Sequence, residues 1–246
     1  MLYILALGSP THPLPEECYS AWTATYQWRT IYDFEFLYAG PLFIHHTPHT
    51  WIDFRDIQDG YMRERGLDYF ENSRRATYIQ QQYAIRNPRQ WKGYDAHSWG
   101  ITASDGPGPA RRRVGGRERR FYAYLARGVP YGPDDGTLAP WAVVGSLPFA
   151  PEIVAPTLKA HARTNLHKSG PYGFRPAYNP SFRVHNGKHR AWESPSHCAI
   201  NQGPIVLMIE NYRTGLIWRL MRRCPAIATG LRRAGFRNGW LLGIGP

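Results

Sequence analysis

The chain has 246 residues, enough to bury a core as one large domain or two small ones. Hydrophobic residues make up 43 % and charged residues 20 %, a balance that excludes a disordered chain. The formal net charge of +12 is compatible with an anionic partner, but it is concentrated in two places. One is Arg111, Arg112, Arg113, Arg117, Arg119 and Arg120, broken only by Glu118; the other is the tail from Arg213 to Arg237. These read as a solvated loop and a helix face. A nucleic-acid partner is not expected, because charge alone speaks for it. The three cysteines, Cys18, Cys198 and Cys224, fit neither a disulfide framework nor a zinc motif.

The opening MLYILALGSP is apolar but brief, with no basic stretch ahead of it, so it reads as the last turns of a helix that begins upstream and closes at Gly8. No membrane-spanning run follows. Glu16 to Trp28 is expected to be helical, with acids near its positive end. Residues 29–50 are aromatic and irregular, with Gly40, Pro41 and Pro48 as breakers. Helices are predicted over Ile52–Glu64 and Asp68–Ile85, the second stopping before Pro88. Residues 87–135 form a long Gly-, Pro-, Arg- and Tyr-rich stretch of the kind that usually carries function. Helices follow over Leu138–Leu147 and from Pro151 onward, where proline suits a first turn. Residues 167–200, with Gly170 and Gly187, read as loop. A strongly apolar helix is predicted from Pro204 to about Arg223, and a last one near Pro225–Ala234. No alternating strand runs stand out, so the expected class is all-α, with long loops gathered at one end of paired helices.

Aromatics reach 14 % of the chain, with 9 Trp and 16 Tyr, and flat rings serve equally as core filling and as platforms for sugar rings. Three segments concentrate site-like residues: 49–55, 93–107 and 201–213. Glycoside hydrolysis requires two carboxyl groups flanking the scissile bond. Asp53, Asp95, Asp105 and Glu210 are the carboxyls in these segments, with Asp105 and Glu210 as the catalytic candidates. Trp51, Tyr94, Trp99 and Tyr212 are candidate platforms, and Asp53, Arg55, Asn201, Gln202 and Arg213 are candidate hydroxyl contacts. Each has a plainer alternative. Asp105 precedes Gly-Pro and suits a turn; Asp53 and Arg55 suit a mutual pair; Glu210, inside an apolar helix, suits an arginine partner. His45, His46 and His49 match no strong metal spacing, and neither metal nor cofactor is expected.

The strings LALGSPTHPLP, WIDFRDIQDGYMRERGLDYFENSRRAT, WGITASDGP, RGVPYGPDDGTLAPWAVVGSLPFAPE and INQGPIVLMIENYRTGLIWRL resemble the bacterial glycoamylase-like family, which includes endo-β-1,2-glucanases and the C-terminal domains of cyclic β-1,2-glucan synthases. The resemblance covers essentially the whole chain. It implies an (α/α)6 toroid with its site at one mouth, here a partial one within a single domain over residues 1–246. It also implies a β-linked glucan substrate, inverting hydrolysis with water between two carboxyls, no metal and no organic cofactor, and a setting in the cell envelope. Two departures accompany it. The family domain extends upstream of LALGSPTH, where it supplies further helices and an acidic residue of the cleft; and the family carries Asp where this chain has Asn201. Both leave a non-catalytic carbohydrate-binding unit, or a subunit completed by another chain, as the alternative. A ring lacking part of its helices is also expected to self-associate through exposed apolar faces.

Overall fold

A computed structural model describes residues 1–164, 172–185 and 189–243. Helices α1 (Leu2–Leu7), α2 (Glu17–Thr23), α3 (Phe43–His46), α4 (Gly60–Arg63), α5 (Tyr69–Arg86), α6 (Pro140–Gly145), α7 (Pro151–Arg163), α8 (Ala199–Thr214), α9 (Leu216–Arg222) and α10 (Pro225–Arg233) alternate with strands. The strands are β1 (Trp28–Ile31), β2 (Phe34–Leu37), β3 (Ala103–Ser104), β4 (Ala110–Val114), β5 (Arg117–Phe121), β6 (Leu125–Ala126), β7 (Tyr178–His185) and β8 (His189–Glu193).

This overturns the all-α expectation, and the described elements do not make up the ring of paired helices alone that the resemblance implies. Among the described residues the strands form four two-stranded antiparallel sheets, β1–β2, β3–β6, β4–β5 and β7–β8, so the class is mixed. The turns explain why. Tyr32 and Asp33, both at positive φ, join β1 to β2 in the two-residue geometry whose twist matches the flanking strands. Gly115 and Gly116, at φ 58 and 79, do the same between β4 and β5. The arginine cluster is therefore a hairpin, not a solvated loop. Residues 165–171 and 186–188, including Gly170 and Gly187, lie outside the described residues; around them the expected loop of 167–200 is largely the β7–β8 hairpin.

Other boundaries shift for local reasons. The helix expected over Ile52–Glu64 shrinks to α4, capped by the Asp59 carboxylate, which accepts from the Met62 N–H at 2.8 Å. The helix expected from Pro204 to Arg223 starts earlier and breaks at Gly215, φ 66, into α8 and α9. Helix α5 follows its prediction closely: Asp68 caps it by accepting from the Glu71 N–H at 2.7 Å, and Asn87 ends it in the left-handed region.

Two apolar cores result. The larger gathers Tyr83 of α5, Trp99, Phe121 of β5, and Trp141 and Val143 of α6. The smaller joins Ile4 and Leu7 of α1 to Ile57, Leu231 of α10 and Phe236. Helices α1 and α10 meet backbone to backbone. A Cβ at Gly8 would sit 1.9 Å from the Ala226 carbonyl oxygen, and one at Gly230 would sit 1.9 Å from that of Ile4. Arg233 ties the pair by donating to the Leu7 carbonyl at 3.0 Å.

Candidate active site

The segment Ser104-Asp105-Gly106-Pro107 leaves the short β3–β6 sheet, in which Ser104 pairs with Leu125, and turns under the chain returning from β5. A fully buried guanidinium, Arg127, fixes that turn. It donates to both carboxylate oxygens of Asp135 at 2.7 and 2.8 Å. Its remaining N–H groups reach the carbonyls of Ser104 (2.7 Å), Asp105 (3.4 Å), Tyr122 (3.2 Å) and Ala123 (3.1 Å). Gly106 is required here, because a Cβ would lie 2.1 Å from Arg127 Nη2 and 2.3 Å from the Tyr122 carbonyl oxygen. Asp135 also accepts from the Tyr122 and Thr137 N–H groups, so this buried ion pair is hydrogen-bonded as well as charge-matched.

Above this frame the Asp105 carboxylate is only partly covered. It accepts one hydrogen bond, at 2.9 Å, from the Ser194 hydroxyl, which arrives from the end of β8 just ahead of α8. Its other oxygen accepts no hydrogen bond among the described residues. Asp105 is thus both a turn residue and a partly buried carboxylate held by a rigid support. Tyr124, 70 % exposed, follows directly on Tyr122 and Ala123, whose carbonyls approach Gly106.

The other predicted residues distribute differently. Trp99 is completely buried and donates from its indole N–H to Thr157 Oγ1 at 3.0 Å; Tyr94 is buried and donates to Asp134 at 2.6 Å. Both are core residues with no face left for a sugar, a correction to their reading as platforms. Asp53 is buried and salt-bridged to Arg55 at 2.6 Å and to Arg222. Burial alone would raise its carboxyl pKa, but the Arg55 hydrogen bonds and charge, joined by Arg222, hold it below the usual range. Arg55 in turn lies over the Trp218 ring at 4.6 Å. These two serve each other and the packing.

Trp51 is 39 % and Tyr212 50 % exposed, so both keep a free face. Glu210 accepts from the Thr214 hydroxyl and faces Arg213 at 3.9 Å. Asn201 is buried in the first turn of α8, and Gln202 donates to the Phe174 carbonyl at 2.8 Å. The structure sorts these along α8. Asn201 and Gln202 lie in its first turn, with Asp105 bonded to Ser194 five residues ahead of the helix; Trp51, Glu210, Tyr212 and Arg213 belong with its C-terminal end, where Asn211 donates to the Thr50 carbonyl at 3.0 Å. At 1.5 Å per residue the eleven positions from Ala199 to Glu210 span roughly 16 Å.

Asp134 shares the support of the turn. Burial raises its carboxyl pKa, against hydrogen bonds from Tyr94, the Gly136 N–H and Tyr83. Two of the histidines are engaged by serine hydroxyls. His46 hydrogen-bonds with Ser146 at 3.1 Å and His49 with Ser73 at 3.0 Å. No group of three potential metal ligands occurs among the described residues. No helix among them is long and apolar enough to cross a membrane.

With this geometry in hand, comparison with known proteins decides the family. The glycoamylase family, described as "Putative glucoamylase", matches residues 1–225. The chain belongs to this family. Its solved members include a Bacteroides uniformis protein described in the same words, 34 % identical, with TM-score 0.80 over 98 % of this chain and 54 % of that one. They also include the endo-β-1,2-glucanase of Chitinophaga pinensis, solved with sophorotriose and glucose, 30 % identical, with TM-score 0.78 over 98 % of this chain and 54 % of that one. An exo-β-1,2-glucooligosaccharide sophorohydrolase of Parabacteroides distasonis is 29 % identical over 94 % of this chain and 32 % of its own length. This glycoamylase-family chain therefore spans about half the length of these solved relatives and about a third of the curated one.

Ser194, Arg127, Asp135 and Tyr124 were not among the residues expected at the site. The DDG sequence at Asp134-Asp135-Gly136 was the available signal, since adjacent carboxylates ahead of a glycine mark a hydrogen-bonded turn.

Proposed function

We propose that this glycoamylase-family chain forms part of a glycoside hydrolase acting on β-1,2-linked glucan with inversion. The observation that carries the reading is Asp105. It is a partly buried carboxylate anchored on one oxygen by Ser194 and supported from beneath by buried Arg127, in a family whose relatives include hydrolases of β-1,2-glucans. Asp105 serves as a catalytic or water-orienting carboxylate, with Tyr124, Trp51 and Tyr212 as exposed aromatic faces for the glucan. Inverting hydrolysis places its carboxyls about 6.5–9.5 Å apart. Glu210 sits well down α8 and is engaged by Thr214, so it fits an outlying contact better than the partner of Asp105. The second carboxyl is assigned to the part of the fold that the longer relatives possess and this chain does not span.

The test is the Asp105→Asn variant, assayed for oligosaccharide release from linear β-1,2-glucan. A large loss of turnover with an unchanged thermal melt is expected; an unchanged rate removes Asp105 from the site. A second reading, carbohydrate binding without cleavage, is favoured by Asn201, which holds no charge where the family resemblance implies Asp. Retardation of the chain in β-1,2-glucan gels without product release establishes that alternative.

A further inference from the structure

The β4–β5 hairpin carries a charge pattern that the fold does not explain. Its register pairs Arg111 with Arg120, Arg112 with Arg119, and Arg113 with Glu118. Phe121 is buried, so the face it shares with Arg112 and Arg119 turns inward at the base of the hairpin, while Arg112 remains exposed. There both guanidiniums are engaged, although the buried Arg119 Nε has no hydrogen-bond partner among the described residues. Arg112 donates to the Arg183 carbonyl at 2.7 Å and lies over Phe182; Arg119 donates to the Arg89 carbonyl at 2.6 Å and lies over Trp91.

The opposite face presents Arg111, Arg113 and Arg120 with only Glu118 among them. Arg111 reaches Glu118 at 3.1 Å, and Arg113 reaches only the Gly116 carbonyl at 3.2 Å. Arg120, lying over Tyr122 at 5.0 Å, stands directly across from Arg111. Like charges directly opposite each other weaken a strand pair. The surface nevertheless keeps them, around a hollow of about 370 Å³ lined by Arg111, Arg112, Arg113, Gly116 and Glu118.

This hairpin springs from the Asp105 turn itself. The Gly108 N–H donates to the Tyr122 carbonyl at 3.0 Å, closing the base of the hairpin beside the carboxylate. Strands of five residues reach roughly 17 Å from that base, so a glucan lying along the turn passes the basic face within a few sugar units.

We propose that the outer face of the β4–β5 hairpin is an accessory subsite for anionic substituents, of the phosphate or carboxylate-ester class, carried on the glucan. Planar guanidiniums suit such groups because they bind oxyanions in a bidentate fork. This rests on the glucan reading of the Asp105 turn.

The experiment compares binding of the full chain to three immobilised polymers: unmodified β-1,2-glucan, the same glucan chemically phosphorylated, and dextran sulfate. The variant is Arg113→Ser with Arg120→Ser, both exposed, with a thermal melt confirming that it folds. The expected result is at least tenfold tighter binding of phosphorylated than of unmodified glucan, falling to parity in the variant, with binding to unmodified glucan unchanged. Equal affinity of the original chain for the two glucans overturns the proposal. Dextran sulfate bound as tightly as phosphorylated glucan also overturns it, because the face is then a general polyanion surface. Binding of phosphorylated glucan alone, lost in the variant, upholds the hairpin and counts instead against the glucan reading of the Asp105 turn.

Discussion

Arg127 is the residue on which the Asp105 turn depends. Its guanidinium is wholly enclosed and gives its N–H groups to one carboxylate and several carbonyls. Replacing it with methionine keeps much of the volume but strands the buried Asp135 charge. Removing one partner of such a pair costs about 3–5 kcal/mol. Arg127→Met is therefore expected to lower the denaturant midpoint by a corresponding amount, read by urea unfolding. A loss below about 1 kcal/mol would place the pair among the weak ones. Sequence reasoning singled out Asp105 as a candidate but not its setting. The chemistry of a carboxylate is written in the residue type, whereas its hydroxyl partner Ser194 stands 89 positions away. Trp99 and Tyr94 show the same limit from the other side: ring chemistry is legible, burial is not.

At the scale of elements, the segments with strong local punctuation were the readable ones. Asp68 and Asn87 bracket α5, and Pro225 opens α10. Asp68→Ala is expected to cost about 1 kcal/mol by removing the cap, seen as a lowered melting temperature. The β1–β2 hairpin escaped notice because its turn, Tyr32-Asp33, lacks the usual Asn-Gly or Asp-Gly signature. The Gly115-Gly116 turn did carry a hairpin signal, masked by the arginines on both sides.

Helix α3 and the turn after it hold three enclosed histidines. Burial lowers the His45 imidazole to about 4, and lowers His49 to about 3 against the pull of Asp53. Burial likewise takes His46 well below its usual value. The unfolded chain takes up these protons near pH 6.5 and the folded chain resists them, so stability is full above 6.5 and falls as the pH drops toward 4. At pH 5 His45 and His49 each account for about 2 kcal/mol of that loss. Urea midpoints measured from pH 8 to pH 5 are expected to fall steadily. His45→Gln is expected to flatten the curve, and a slope unchanged by that substitution would mean that other groups govern it.

For the whole molecule, the distribution of apolar surface matters most. Leu2 is 77 %, Trp22 48 % and Ile44 47 % exposed, and all three border one apolar groove of about 700 Å³ between α1, α2 and α3. Contiguous apolar surface of this kind favours association in water. Sedimentation velocity of the isolated chain is expected to show concentration-dependent species larger than 28.2 kDa. A single species of that mass across a hundredfold range of concentration would count against it.

The close approach of α1 and α10 also bears on the order of folding. The Arg233–Leu7 contact joins positions 226 apart, one of the widest separations in the chain. Closing so long a loop is entropically unfavourable until the intervening cores have formed. The contact is therefore expected to form only after the rate-limiting barrier to folding. Perturbing Gly8 or Gly230 should then leave the refolding rate nearly untouched and appear almost entirely as faster unfolding. The seam between the first and last helices sets how long the native state lasts rather than how quickly it is reached.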